Sequence, residues 1–204
     1  MDRRRRPEPG PRLVVLGSPG AGKGTQCALL ARHYGVPHIS TGDLLRAAVR
    51  TGDEKSVAAG RHMDAGNLLD DDVVVAIVEE RLGADDAGRG FVLDGFPRTV
   101  PQVDALLEMA GPEGIDVAID LQVPAEVARA RLAQRWTADS DERRRDDAEA
   151  VVARRLELHA AQAAPVAAAF DRRGLLVAVD GLGPPEEVAQ RLLAVVESVT
   201  GTGP

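Results

Sequence analysis

Residues 17–26, GSPGAGKGTQ, combine four glycines with a lysine, and that combination can hold phosphate. Glycines let backbone N–H groups turn toward an anion, and the start of a helix adds positive potential behind them. An ammonium on a flexible stem reaches into such a loop as a point charge. Gly20, Ala21, Gly22, Lys23, Gly24 and Thr25 therefore read as a cradle, with Lys23 bridging the outer phosphates of a nucleoside triphosphate. The commonest form of the pattern has Ser or Thr directly after the lysine. Here Gly24 stands there and Thr25 follows. The loop alone does not separate a hydrolase from a kinase.

The 25 basic residues include only two lysines, Lys23 and Lys55, so the loop keeps lysine in a chain that otherwise uses arginine. A guanidinium fork takes two phosphate oxygens at once. Arg46 lies in TGDLLR and Arg98 in DGFPR. Arg131 and Arg135 are four apart and share a helix face. Arg144 and Arg155 are eleven apart, about three turns. Converging arginines suit transfer between two polyanions, where the protein aligns and neutralises rather than forming bonds. Arg129, Arg143, Arg145, Arg154, Arg172 and Arg173 read as solvated surface charge.

Asp94 follows an apolar run and is a natural partner for Mg²⁺ through water, because magnesium keeps several waters and leans on substrate phosphates. An Asp before Gly95 is also a common turn former. The four histidines offer no pair at metal-ligand spacing, and His38 reads as structural. An acceptor that is already ionised needs no general base.

Strands and helices must position these groups. RLVVLG (12–17) reads as a buried parallel strand. A helix over 25–35 ends at Gly35. A short strand covers 36–40, and Thr41 is the expected N-cap of a helix over 41–50. Residues 51–69 suit a small helical insert. Helices are expected over 70–83 and 99–110, and strands over 90–97 and 116–123. The helix 124–136 carries an expected inward stripe of Val127, Ala130, Arg131 and Gln134. A long helix over 147–170 opens on a capping box, Asp146 with Glu149, and should kink or divide at Pro165. A strand over 175–180 and a helix over 184–199 close the chain.

This alternation predicts an α/β fold of three layers, with about five parallel strands and helices on both faces. Ligands in such sheets bind beyond the carboxyl ends of the strands. The phosphate loop, DGFP and the 180–183 turn should then share one crevice.

A length of 204 residues suits one domain with a small insert. Hydrophobic residues make up 44% and aromatic ones only 2%, so the core must be aliphatic. No apolar run approaches a membrane span. The segment MDRRRRPEPGP has no apolar stretch of a signal peptide and reads as a solvated arm over 1–10. One cysteine, Cys27, excludes an internal disulfide and a cysteine-rich metal site, and a reducing cytoplasm is expected. A net charge of −7 weighs against nucleic acid as a partner.

GSPGAGKGTQ, HISTGDLLR (38–46), DGFPRTVPQVD (94–104), and RRDD (144–147) with RRLE (154–157) occur in that order. Together they resemble the nucleoside monophosphate kinases, and among these the adenylate kinases, from about Leu13 to about Leu193. The Gly24–Thr25 pair is what this family carries. The resemblance implies a P-loop core (11–39, 70–134, 145–199), a monophosphate-binding insert (40–69), a short lid (135–144) and a loose tail (200–204). It implies reversible transfer, MgATP + AMP = 2 ADP, serving adenine nucleotide homeostasis and AMP salvage in a cytoplasmic monomer. The partners are ATP, AMP and ADP, without nucleic acid or membrane.

By the same resemblance Arg131 lies against the donor adenine, Arg135 binds donor phosphates, and Gly183 lies beside the donor. Thr41, Arg46, Asn67, Leu68, Leu69, Gly95, Phe96, Pro97, Arg98 and Gln102 hold the acceptor. Arg144 and Arg155 reach the transferring group, and Lys23, Arg98, Arg135, Arg144 and Arg155 are catalytic. Thr41 and Gln102 favour adenine: pyrimidine-directed relatives carry a smaller residue at the first, and the amide of the second can pair with an adenine edge. Rival readings are a UMP or CMP kinase, a regulatory module that has lost transfer, and a simple NTPase switch.

Three departures from the family pattern stand out. Leu69 and Asp70 replace Val and then Pro or Thr, with Asp70 a possible N-cap. Ala148 replaces Asn. The lid is of the short form, but its loop WTADSDER is slightly longer and more acidic than short forms usually show, and with one cysteine the zinc-bearing lid is excluded. Mg²⁺ with ATP is expected, and no zinc.

Overall fold

The computed structural model describes residues 10–50, 69–111, 114–137 and 149–201. Strands β1 (Arg12–Leu16), β2 (His38–Ser40), β3 (Phe91–Asp94), β4 (Val117–Gln122) and β5 (Leu176–Asp180) form one parallel sheet in the order β2-β3-β1-β4-β5. Alternation along β1 divides the core. Leu13 and Val15 join Cys27 and Leu30 of α1 (Lys23–Tyr34) and Val188, Leu192 and Val196 of α7 (Pro185–Thr200). Val14 points the other way. It packs with Val78 of α3 (Asp71–Leu82), Leu106 of α4 (Val100–Met109) and Phe170 of α6 (Glu149–Asp171). Burial on both faces explains why the strands read as unbroken apolar runs. All three phenylalanines, Phe91, Phe96 and Phe170, lie in the second cluster. The expected three layers and five strands are therefore present.

Several boundaries and caps differ from the sequence reading. Thr41 is the first residue of α2 (Thr41–Arg50) rather than its cap. Ser40 Oγ accepts the Asp43 amide at 3.3 Å instead. Asp70 occupies the N-cap position of α3, but its side chain makes no cap bond. Its carbonyl accepts the amides of Val73 and Val74.

In α5 (Ala125–Thr137) the buried residues are Ala128 and Leu132, while Ala130 and Gln134 are exposed. The expected stripe was rotated because the helix turns toward the phosphate loop, which seats on Ala128. The helix α6 is not divided at Pro165. The lost amide bond is offset by burial of Val166, Ala169 and Phe170 beyond it. Arg173 is not simply solvated: it donates to the Ala169 carbonyl (2.7 Å) and to Asp104 (3.0 Å). Gly10, placed in the arm on sequence, donates to the Arg89 carbonyl at 2.6 Å. The last helix runs to Thr200 and is capped by Gly201 at φ 67°.

The insert 51–68, the lid loop 138–143 and the Asp146–Glu149 capping box lie outside the described residues or reach beyond them. Among the described residues no helix is long and apolar enough to cross a membrane.

Candidate active site

The sheet order reverses at β1. The next strand in sequence, β2, lies two places to one side, and β4 lies on the other. A crevice at the carboxyl end of β1 follows from that reversal. In register, Val15 pairs with Asp94 and Leu16 with Asp120, so a carboxylate stands on each side of the strand end.

The phosphate loop leaves β1 at Gly17 and needs positive φ at Gly17 (141°), Gly20 (84°) and Gly22 (100°). A side chain on Gly20 would run into the Ala128 carbonyl and lie 2.9 Å from Leu132 Cγ, so the loop rests directly on α5. Lys23 opens α1, half-buried, and its Nζ donates to the carbonyls of Gly17 (2.8 Å) and Ser18 (3.0 Å). Burial lowers its pKa to about 8; Asp94 opposes that shift, and Arg98 adds to it. Gly24 and Thr25 are exposed at the helix start.

Asp94 ends β3 with its side chain 14% exposed. His38 Nε2 lies 3.4 Å from its Oδ2, and Thr41 Oγ1 donates to its carbonyl at 3.1 Å. A Cβ on Gly24 would stand 3.5 Å from Oδ2, so the carboxylate faces the start of α1. A hard oxygen donor beside the phosphate loop fits an ion that keeps its waters and leans on nucleotide phosphates.

After Asp94 the chain turns through Gly95, a buried Phe96 and a cis Phe96–Pro97 peptide. Arg98 Nε donates to the Gly95 carbonyl (2.7 Å), and its amide donates to Gln102 Oε1 (2.8 Å). These bonds hold an exposed guanidinium against the crevice.

The crevice is an open cleft of about 250 Å³. Of the expected site residues Lys23, Gly95, Phe96, Pro97, Arg98 and Arg155 line it, with Gly17 beside them, whereas Gly20, Ala21, Gly22, Gly24 and Thr25 do not. Asp120, His159 and Gln162 line it too, and the sequence reading did not single them out. Asp120 was signalled by its place near the carboxyl end of a strand. His159 and Gln162 were signalled by their spacing of four and seven from Arg155, which puts all three on one helical face. Burial, with Lys23, lowers the His159 pKa to about 4 despite Asp120.

Other expected site residues lie elsewhere. Arg131 donates to the Ala21 carbonyl (2.9 Å) and the Gly181 carbonyl (3.3 Å). It ties the phosphate loop to the β5–α7 turn, where Gly183 has φ 110°. Arg46 pairs with Asp43 on its own helix at 2.5 Å. Neither Arg46 nor the half-buried Arg135 lines the cleft. Leu69 packs on the core.

Thr41 and Gln102 are 1% and 2% exposed. Gln102 Nε2 donates to Asp71 Oδ1 (2.6 Å), and Thr99 Oγ1 donates to Asp71 Oδ2 (2.8 Å). Asn67, Leu68 and Arg144 lie outside the described residues.

A family model described as "Adenylate kinase" matches residues 15–175 of this chain. The chain belongs to the adenylate kinase family. Curated relatives carry the same name. That of Thermobifida fusca is 43% identical over 189 residues, covering 92% of this chain and 98% of its own. That of Streptomyces avermitilis is 41% identical, covering 89% and 95%. That of Methylobacterium radiotolerans is 42% identical, covering 91% and 96%. Adenylate kinases are nucleoside monophosphate kinases that move a phosphoryl group between ATP and AMP, and membership in the family accounts for a phosphate loop and arginines meeting in one cleft.

Proposed function

We propose that the cleft between the phosphate loop, Arg98 and α6 is where MgATP + AMP = 2 ADP takes place. The observation that carries this reading is the meeting of Lys23, Arg98 and Arg155 around one open volume at the strand ends. Donor phosphates settle on the backbone amides of Gly20 to Thr25. Lys23 then leaves the Gly17 and Ser18 carbonyls for the outer phosphates. Arg98 and Arg46 clamp the acceptor phosphate. Arg155, with Arg135 and Arg144, takes up charge as it shifts to the transferring group.

Asp94 would hold, through water, the Mg²⁺ that comes with ATP, and that ion supplies neutralisation of phosphate charge. The base of AMP lies against Leu69, Asn67 and Leu68, within reach of Thr41 and Gln102. Arg131 and Gly183 flank the donor base. Closure of the short lid excludes water and suppresses ATP hydrolysis. The protein acts as a cytoplasmic monomer on free ATP, AMP and ADP.

Lys23→Met and Arg98→Ala test the assignment. Each is expected to lower turnover by orders of magnitude with circular dichroism and melting temperature unchanged. Near-normal turnover in both variants contradicts it.

A further inference from the structure

Cys27, His38 and Asp94 come from three different elements and meet on one side of Asp94. Cys27 lies on α1, His38 begins β2, and Asp94 ends β3. Their ligand atoms Sγ, imidazole nitrogen and carboxylate oxygen all lie within 4.8 Å of one another. Nε2 of His38 and Oδ2 of Asp94 are already 3.4 Å apart.

A tetrahedral zinc site with bonds of about 2.0–2.3 Å puts its ligand atoms roughly 3.3–3.8 Å apart. A contraction of about an ångström on the sulfur side therefore completes three corners of that geometry. The strand pairing that sets Ser40 beside Asp94 fixes two of the three ligands. His38 is 25% exposed on a strand at the edge of the sheet, so the cluster has a way in.

The donor set decides the class of ion. Sulfur and imidazole nitrogen are soft to borderline ligands, whereas magnesium takes oxygen. We infer that Cys27, His38 and Asp94 form a binding site for a thiophilic divalent cation of the zinc class, and that its occupation slows phosphoryl transfer. This is not the zinc of a cysteine-bearing lid, which the single cysteine excludes.

Binding exchanges the thiol proton of Cys27 for the metal and releases that proton to solvent. One thiolate, one carboxylate and a neutral imidazole leave the site without net charge, and a water fills the fourth position. The consequence for turnover rests on the role proposed for Asp94. A carboxylate bound to the soft ion is withdrawn from the waters of the nucleotide's magnesium. The site on its own does not rest on that role.

Cobalt(II) is the probe, because a thiolate–cobalt charge-transfer band with strong tetrahedral d–d absorption can come only from Cys27 in this chain. Nucleotide-free protein is titrated with cobalt and then with zinc. The expected result is a one-to-one thiolate band that zinc bleaches, with the band absent in Cys27→Ala. His38→Gln, at a partly exposed position, should keep the fold and weaken binding on the order of tenfold or more. Weak octahedral absorption alone, equal in the parent and in Cys27→Ala, overturns the site.

In a second arm, zinc held at a buffered free concentration under excess MgATP and AMP should slow the parent at least severalfold and spare Cys27→Ala. Equal inhibition of both proteins overturns the proposal. A thiolate band with no slowing overturns the consequence drawn from Asp94 and leaves the site standing.

Discussion

The ammonium of Lys23 lies 2.8 Å from the carbonyl oxygen of Gly17, the residue that begins its own loop. The loop thus closes on its own cation. Burial holds that cation's pKa down to about 8. Arriving phosphates replace two neutral carbonyls with negative charge and favour the ammonium. ATP binding should therefore take up a proton between about pH 8 and pH 10 and none near pH 6. Calorimetry in two buffers of different ionisation heat reads this directly. Lys23→Met should abolish the uptake, and equal uptake in that variant contradicts the assignment.

His159 gives a pH dependence of the opposite flank. Its pKa is lowered from 6.5 to about 4 in the folded protein. Between those values the unfolded chain binds more protons than the folded one, so stability falls as pH drops from about 6.5 to about 4. Denaturant titrations across that window should show a shallower fall in His159→Gln than in the parent. Parallel curves would mean that the histidine is solvated in both states.

Gly20 tests the seat of the phosphate loop. A methyl group there meets the Ala128 carbonyl, at a φ of 84° that side chains rarely adopt. Gly20→Ala should cost on the order of 1–3 kcal/mol and weaken ATP binding more than AMP binding. An unchanged melting temperature with normal ATP affinity would show that the loop is not held against α5.

Gln102 separates a strut from a reader of the base. Its buried amide joins Asp71 to the Arg98 amide. Gln102→Leu removes the bonds to both the Asp71 carboxylate and the Arg98 amide, at a cost of about 1–3 kcal/mol. If the side chain also reads adenine, KM for AMP rises and preference over other monophosphates narrows, while KM for ATP holds. Lost stability with unchanged base preference would leave only the strut.

What was legible in the sequence was local. The apolar run 12–17, the glycines after it and Gly35 at the end of α1 are each decided by residues near them in the chain, and they stand in the structure as read. What depended on distant packing was not legible. The buried face of α5 is set by the docking of Gly20 against Ala128, so the local stripe caught the half-buried Val127 and Arg131 but missed Ala128 and Leu132. Asp120 and His159 carried local signals, a strand end and a helical spacing, but those signals select a cleft position only once β4 flanks β1 and α6 lines the cleft. Asp71 meets Gln102 from 31 residues away, and nothing in either helix announces it. The cluster of Cys27, His38 and Asp94 was hidden for the same reason, since no two of its members are close in sequence.

The reaction that every site residue serves is phosphoryl transfer from MgATP to AMP. Its most direct test assays AMP, GMP, UMP and CMP separately as acceptors, with ATP hydrolysis in the absence of acceptor as the control. Rapid ADP formation is expected with AMP, with far slower transfer to the other three and little hydrolysis. Preference for another monophosphate, or ATP binding without transfer to any, would contradict it.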